Sequence, residues 1–291
     1  MPHSLEERVS GLEGRTVIVT GAGSGLGRAH ALLLAENGAN VVVNDMAARD
    51  GVPAADEVVT EIEKAGGHAV ADHSDISRPE TGDTLVQLAL DTFGTLEGVI
   101  NNAGILRDHT LVNLTDAEWD AVMAVHLKGH FNLSRSAAVH WRNASKRGEQ
   151  VSASLVHTSS TVGLAGAVGQ ANYAAAKGGI ATFSLCCAQE LKRYGVRSNC
   201  IVPAARTGLT ADQPGIGELM AKPEDPDAFD EWDPANVSPL VVYLSSADCT
   251  FTGRTFHVRG GVITEMVPWQ KSTVLTKDGR WGLDELAATF A

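Results

Sequence analysis

Thr16-Val17-Ile18-Val19-Thr20-Gly21-Ala22-Gly23-Ser24-Gly25-Leu26-Gly27 is followed at once by Arg28-Ala29-His30-Ala31-Leu32-Leu33-Leu34-Ala35. The first five residues form a short apolar run of the kind that a strand buried on both faces presents. The last eight have helical composition, so the glycines between them must turn the chain from strand to helix. Glycine permits the tight turn, brings helix close to strand and lets backbone approach a pyrophosphate, while a helix N-terminus offers free N–H groups to the phosphates. Glycine-rich turns also serve packing alone. With a strand before and a helix after, Gly21, Ser24, Gly25, Leu26 and Gly27 become candidate dinucleotide contacts, in the spacing GxxxGxG.

Working outward, the same rhythm continues. Runs at 40–44, 68–71, 98–101, 154–158, 198–202 and 255–258 are short and apolar, with room for a crossover helix between most of them. Repetition of this kind predicts an α/β fold: one doubly wound, parallel, seven-stranded sheet with helices on both faces. No linker or internal repeat divides the 291 residues, so a single domain is expected, with its core at 11–262. Residues 207–234 break the alternation with four prolines, and with seven acids between Glu218 and Asp233, and read as a lid loop. The tail, 265–291, reads as an extension in which Gly282 to Ala288 forms a short helix.

The second strand ends at Asn44-Asp45, about twenty residues past the glycines, where a carboxylate accepts the ribose hydroxyls of an adenosine and repels a 2′-phosphate. That favours NAD over NADP. Asp50 is a weaker rival, and a plain turn aspartate is the alternative. Farther on, Ser160 precedes Tyr173-Ala174-Ala175-Ala176-Lys177. Tyrosine and lysine four apart share one helix face, so an ammonium near the phenol can stabilise its anion and lower its pKa from about 10 toward neutrality. The trio suits proton transfer from an alcohol whose carbon loses a hydride.

These motifs, with Asn101-Asn102-Ala103-Gly104 and Ser160 thirteen residues before Tyr173, resemble the short-chain dehydrogenase/reductase family over about residues 11–262. The resemblance implies a Rossmann-type fold, Tyr173 as acid/base, Lys177 on the nicotinamide ribose and Ser160 on the substrate oxygen. It also implies Asp75 and Ile76 at the adenine, Asn101 lining the adenosine site, Asn102, Ala103 and Gly104 along the cofactor, residues 199–207 beside the nicotinamide, and Thr207 or Thr210 on its carboxamide.

Two positions depart from the family pattern. His126 stands where the family usually has an asparagine that anchors a relay water, and Pro203-Ala204 replaces Pro-Gly. Two readings of His126 follow: proton relay, or a buried histidine that fixes its helix through a backbone carbonyl. His126, Val43-Asn44-Asp45, Gly104-Ile105-Leu106-Arg107-Asp108 and Gly169-Gln170-Ala171-Asn172-Tyr173 resemble the (3R)-hydroxyacyl-CoA dehydrogenase units of peroxisomal multifunctional enzymes of type 2 and related bacterial enzymes. That implies a fatty or steroid side-chain 3-hydroxyacyl-CoA as substrate. A hydroxysteroid or other bulky secondary alcohol is the competing substrate, and a non-catalytic NAD-binding protein the competing class. The family also implies a homodimer or homotetramer, with helices at 114–142 and 173–194 pairing across a two-fold axis.

Bulk properties narrow the partners. A net charge of −12 with no basic run argues against nucleic acid and a membrane surface. The N-terminal stretch shows no apolar run of signal-peptide length and Thr289-Phe290-Ala291 is no peroxisomal address, so a cytoplasmic location is expected. Cys186, Cys187, Cys200 and Cys249 lack metal-ligand spacing, so no metal is expected and the cysteines read as reduced packing residues.

Overall fold

The computed structural model describes residues 11–208, 216–225, 227–267 and 269–290. Its sheet strands are β1 (Thr16–Thr20), β2 (Asn40–Asn44), β3 (His68–Asp72), β4 (Gly98–Asn101), β5 (Ala153–Thr158), β6 (Val196–Ala204), β7 (Thr255–Arg259) and β8 (Val262–Met266). They lie in the order β8-β7-β6-β5-β4-β1-β2-β3. The first seven are parallel to their neighbours, and β8 runs antiparallel to β7. The α-helices of the described residues are α1 (Gly25–Glu36), α2 (Ala54–Lys64), α3 (Pro79–Phe93), α4 (Asp116–Met123), α5 (Gly129–Lys146), α6 (Thr161–Ala165), α7 (Ala171–Leu191), α8 (Ile216–Leu219), α9 (Ser238–Ser245) and α10 (Leu283–Phe290).

Alternation along each strand divides the apolar side chains between two layers. Val17 and Val19 pack with Val41, Val43, Leu34 and Val241 on the side of α1 and α9. Ile18 and Val42 pack with Val99, Leu133, Trp141 and Leu155 on the side of α3 and α5. The continuous valine and isoleucine runs thus feed both faces of a covered parallel sheet. Local signals set the helix ends: Pro79 opens α3, Gly94 closes it in the left-handed conformation at φ 81°, and Thr115 and Glu118 form a capping box at α4. Between α4 and α5 the helix widens into one π turn, Ala124–Lys128, carrying His126.

The sheet has eight strands where seven are expected. Val262–Met266, partly assigned to the tail, pairs from Val262↔Arg259 to Met266↔Thr255. The missed signal is Gly260-Gly261, a two-residue hairpin turn with Gly260 at φ 50°. Strand β8 is largely exposed, so it lacks the apolar run that marks the others. Among the described residues no helix is long and apolar enough to cross a membrane.

Candidate active site

Strand order reverses between β1 and β4, and at such a point the crevice beyond the strand ends is the natural binding place. A cleft of about 540 Å³ opens there. It is lined by Ser160, Tyr173, Lys177 and His126 together with Gly21, Ser24, Gly25, Leu26, Asp45, Asp75, Ile76, Asn102, Ala103, Gly104 and Thr207. Gly27, expected at the cofactor, lies behind this surface: a Cβ there would stand 2.2 Å from Gly21 O, where glycine lets the helix pack close. Asn101 also departs from expectation. Its fully buried side chain donates to Ser134 Oγ at 3.0 Å and lies under the sheet end, off the cleft. Thr210 lies outside the described residues.

Two threads pin the glycine turn. Thr20 Oγ1 accepts the Asn102 and Ala103 N–H groups at 3.0 and 3.1 Å, and Asn102 Nδ2 donates back to Thr20 O and Gly21 O. Gly21, at φ 62°, lies so close to Ala103 that a Cβ would come within 2.7 Å of its Cα. The Ser24 side chain makes no capping bond, which leaves the first N–H groups of α1 facing the cleft. At the far end Asp45 Oδ2 accepts the Gly23 N–H at 2.8 Å and Oδ1 the Ala47 N–H at 2.9 Å. Lys177 is the only lysine or arginine among the described residues lining the cleft. The donor-rich turn, the helix end and the carboxylate fit a dinucleotide.

Ser160 caps α6, its Oγ accepting the Val162 N–H at 3.3 Å, and it hydrogen-bonds Tyr173. Tyr173 is titrated by its surroundings in a sense opposite to the sequence expectation. Burial raises its pKa, the Ser160 hydrogen bond opposes that, and the Asp108 carboxylate adds to the rise. Lys177 Nζ stands 5.5 Å from the phenol ring centroid and donates to Thr158 O at 2.7 Å. Burial pulls the lysine itself down to about 7, so its proton is held loosely at neutral pH.

His126 is fully buried, its ring T-shaped to that of Tyr173 with centroids 5.2 Å apart. Nε2 lies 2.8 Å from Ile105 O and 3.0 Å from Ile105 N, serving one of them at a time. Burial, with the Lys177 charge adding to it, takes the imidazole down to about 3, so it stays neutral near pH 7. A Cβ on Gly104 would meet His126 Cε1 at 2.4 Å, so glycine is what lets this turn lie on the ring.

Sequence reasoning quoted Gly104–Asp108 and Gly169–Tyr173 as separate blocks without seeing why they go together. Asn172 Nδ2 donates to Arg107 O at 2.9 Å and Gln170 Nε2 to Asp108 at 2.6 Å, so the second block clamps the first beside the phenol. Arg206 was also missed. Its guanidinium pairs with Asp230 and donates to Met220 O, while its N–H donates to Trp232 O at 2.7 Å. Both described limbs of the 207–234 excursion are tied there, with Met220 facing the cleft.

The family model for short chain dehydrogenases matches residues 15–214. This chain belongs to that family. It is therefore an oxidoreductase acting on a CH–OH group, in a family that generally binds a nicotinamide cofactor. This dehydrogenase is 47% identical over 284 residues to hydroxyacyl-CoA dehydrogenase ChsB1 of Mycobacterium tuberculosis, covering 96% of the chain and 88% of the relative. It is 40% identical over 265 residues to peroxisomal multifunctional enzyme type 2 of Mus musculus, covering 89% of this chain and 33% of that longer protein. The crystal structure of a short chain dehydrogenase from Mycobacterium avium superposes with a TM-score of 0.87 at 46% identity, covering 96% of this chain and 94% of the other.

Proposed function

We propose that this dehydrogenase oxidises the 3-hydroxyl of a 3-hydroxyacyl-CoA, of fatty or steroid side-chain type, with NAD as the hydride acceptor. The observation that carries the reading is one cleft with two chemically distinct ends. Ser160, Tyr173 and Lys177 converge at one end, and at the other Asp45 stands where a 2′-phosphate would need a cation. Similarity to a relative named hydroxyacyl-CoA dehydrogenase, over 96% of this chain, supports the substrate class.

The nicotinamide, when bound, supplies the carbon that takes the hydride. The protein's own residues handle the oxygen. Ser160 Oγ holds the substrate hydroxyl, and Tyr173 takes its proton as the carbonyl forms. Lys177, on the cleft floor, accepts the proton that Tyr173 must then shed, and its pKa of about 7 keeps part of it as the free amine near neutral pH. His126, neutral and bonded to the Ile105 backbone, positions the Gly104–Ile105 turn and the face of Tyr173.

A bulky free secondary alcohol is the second reading. It is favoured by the lack of any lysine or arginine except Lys177 among the described cleft-lining residues, since CoA phosphates attract cations. A panel of 3-hydroxyacyl-CoA esters, the matching free hydroxy acids and hydroxysteroids, each with NAD, separates them by NADH absorbance. The first reading expects kcat/KM for a CoA ester above every free alcohol by at least about tenfold, or about 1.4 kcal/mol of transition-state binding. Preference for a free alcohol transfers the proposal to the second reading, and no NADH from any member refutes both.

A further inference from the structure

Beneath the acid–base pair lies a cluster of polar side chains that the chemistry above does not use. Asn101 on β4 and His157 on β5 sit opposite each other in register, both fully buried. His130 of α5 is buried over them, its ring stacked on that of His157 with centroids 5.7 Å apart.

Hydrogen-bond direction fixes the state of each ring. His130 Nδ1 lies 2.7 Å from His126 O. A carbonyl only accepts, so Nδ1 carries the proton and Nε2 presents a lone pair. The Asn101 amide nitrogen donates to Ser134 Oγ and faces His157 Nδ1 at 3.5 Å, which puts the His157 proton on Nε2. Three atoms are left without a protein partner among the described residues: His130 Nε2, His157 Nε2 and Asn101 Oδ1. They are an acceptor, a donor and an acceptor. Three buried polar groups left unpaired cost far more than ordering a single solvent molecule among them.

We propose that Asn101, His130 and His157 form a binding site for one internal water, and that this water makes His130 a positioning residue for Tyr173. The water accepts from His157 Nε2–H and donates to His130 Nε2 and Asn101 Oδ1, the usual number of bonds for a buried water. Held in this tautomer, His130 clasps the carbonyl of His126 within the π turn, where helix hydrogen bonding is irregular. That clasp orients the His126 ring against Tyr173. On the strand side, His157 precedes Thr158, whose carbonyl receives Lys177 Nζ. One water thus braces both supports of the acid–base pair. The inference rests on Tyr173 and Lys177 being that pair.

The test joins a crystal structure of the protein with three variants. We expect an ordered water within hydrogen-bonding distance of all three orphan atoms. His130→Leu should lower kcat between about tenfold and a hundredfold, as misplacement of a catalytic group does. KM and the dissociation constant for NAD should stay within about twofold, the signature of a loss confined to the chemical step. His130→Asn, which keeps an N–H for the His126 carbonyl, should recover most of that kcat. A site filled by protein atoms or free of density overturns the proposal, as does a folded His130→Leu with wild-type kcat. If His130→Leu does not fold, His157→Phe decides in its place: it keeps a stacked ring and loses the donor, so a reduced kcat supports the site and an unchanged one overturns it. Tyr173→Phe is assayed alongside. An active Tyr173→Phe removes the reading beneath the proposal, whereas an inactive one beside a fully active His130→Leu removes the proposal alone.

Discussion

Asp45 does two things with one carboxylate. Its oxygens hold the Gly23 and Ala47 N–H groups, which shapes the turn, and in the proposed function its charge faces the ribose of the cofactor. Asp45→Ser should therefore shift the ratio of kcat/KM for NAD over NADP toward NADP by at least about tenfold, because the repulsive element is gone. A small loss of thermal stability should accompany it, about 1 kcal/mol for the hydrogen bonds. Parallel kinetics with both cofactors check this, and an unchanged ratio contradicts the assignment. Asp45 was legible because strand period and glycine turn locate the end of β2 within a residue. The ionisation of Tyr173 was not, since four-residue spacing gives proximity to Lys177 but says nothing of how deeply both are buried.

At the scale of elements, the π turn and the Gly104–Asp108 segment are one unit. His126 packs T-shaped against Tyr173, bonds Ile105 through Nε2 and sets its Cε1 against Gly104. A ring that stays neutral down to about 3 does not change charge at the working pH. His126→Asn should keep substantial activity, since an amide also reaches the Ile105 backbone. His126→Ala should lower kcat about tenfold, equally across about pH 6 to 9, because positioning rather than proton transfer is lost. A changed pH profile in the alanine variant would instead restore the relay reading. Seven strands were readable as apolar runs, but β8 was hidden by its exposure, and the π turn by a sequence that reads as ordinary helix. Asn172 and Gln170 escaped notice as clamps because the groups they hold lie more than sixty residues away.

For the whole molecule, buried histidines make acid the natural denaturant. His30, His126 and His157 are pushed down to about 3 and His130 well below its usual value, all chiefly by burial. Unfolded, each binds a proton below about pH 6.5 that the folded chain refuses, so stability falls as pH drops from there toward about 3. At pH 5 the loss is on the order of 2 kcal/mol each for His30, His126 and His157. Urea midpoints should thus collapse between pH 7 and 5, and a flat profile contradicts the burial of these rings. The assembly proposed for the chain uses the groove between α5 and α7, where Phe131 and Val139 are more than a third exposed. Pairing of these helices across a two-fold axis predicts a dimer or tetramer in sedimentation at micromolar concentration, and a monomer refutes it. The central claim, that this fold moves a hydride to NAD while Tyr173 moves the proton, is tested most directly by one comparison. NADH formation from a 3-hydroxyacyl-CoA is measured for wild type and Tyr173→Phe, with NAD affinity determined for both. The account predicts turnover in the wild type, a loss of at least about a hundredfold in the variant and NAD binding within about twofold; a Tyr173→Phe variant that stays within about tenfold of the wild-type rate contradicts it.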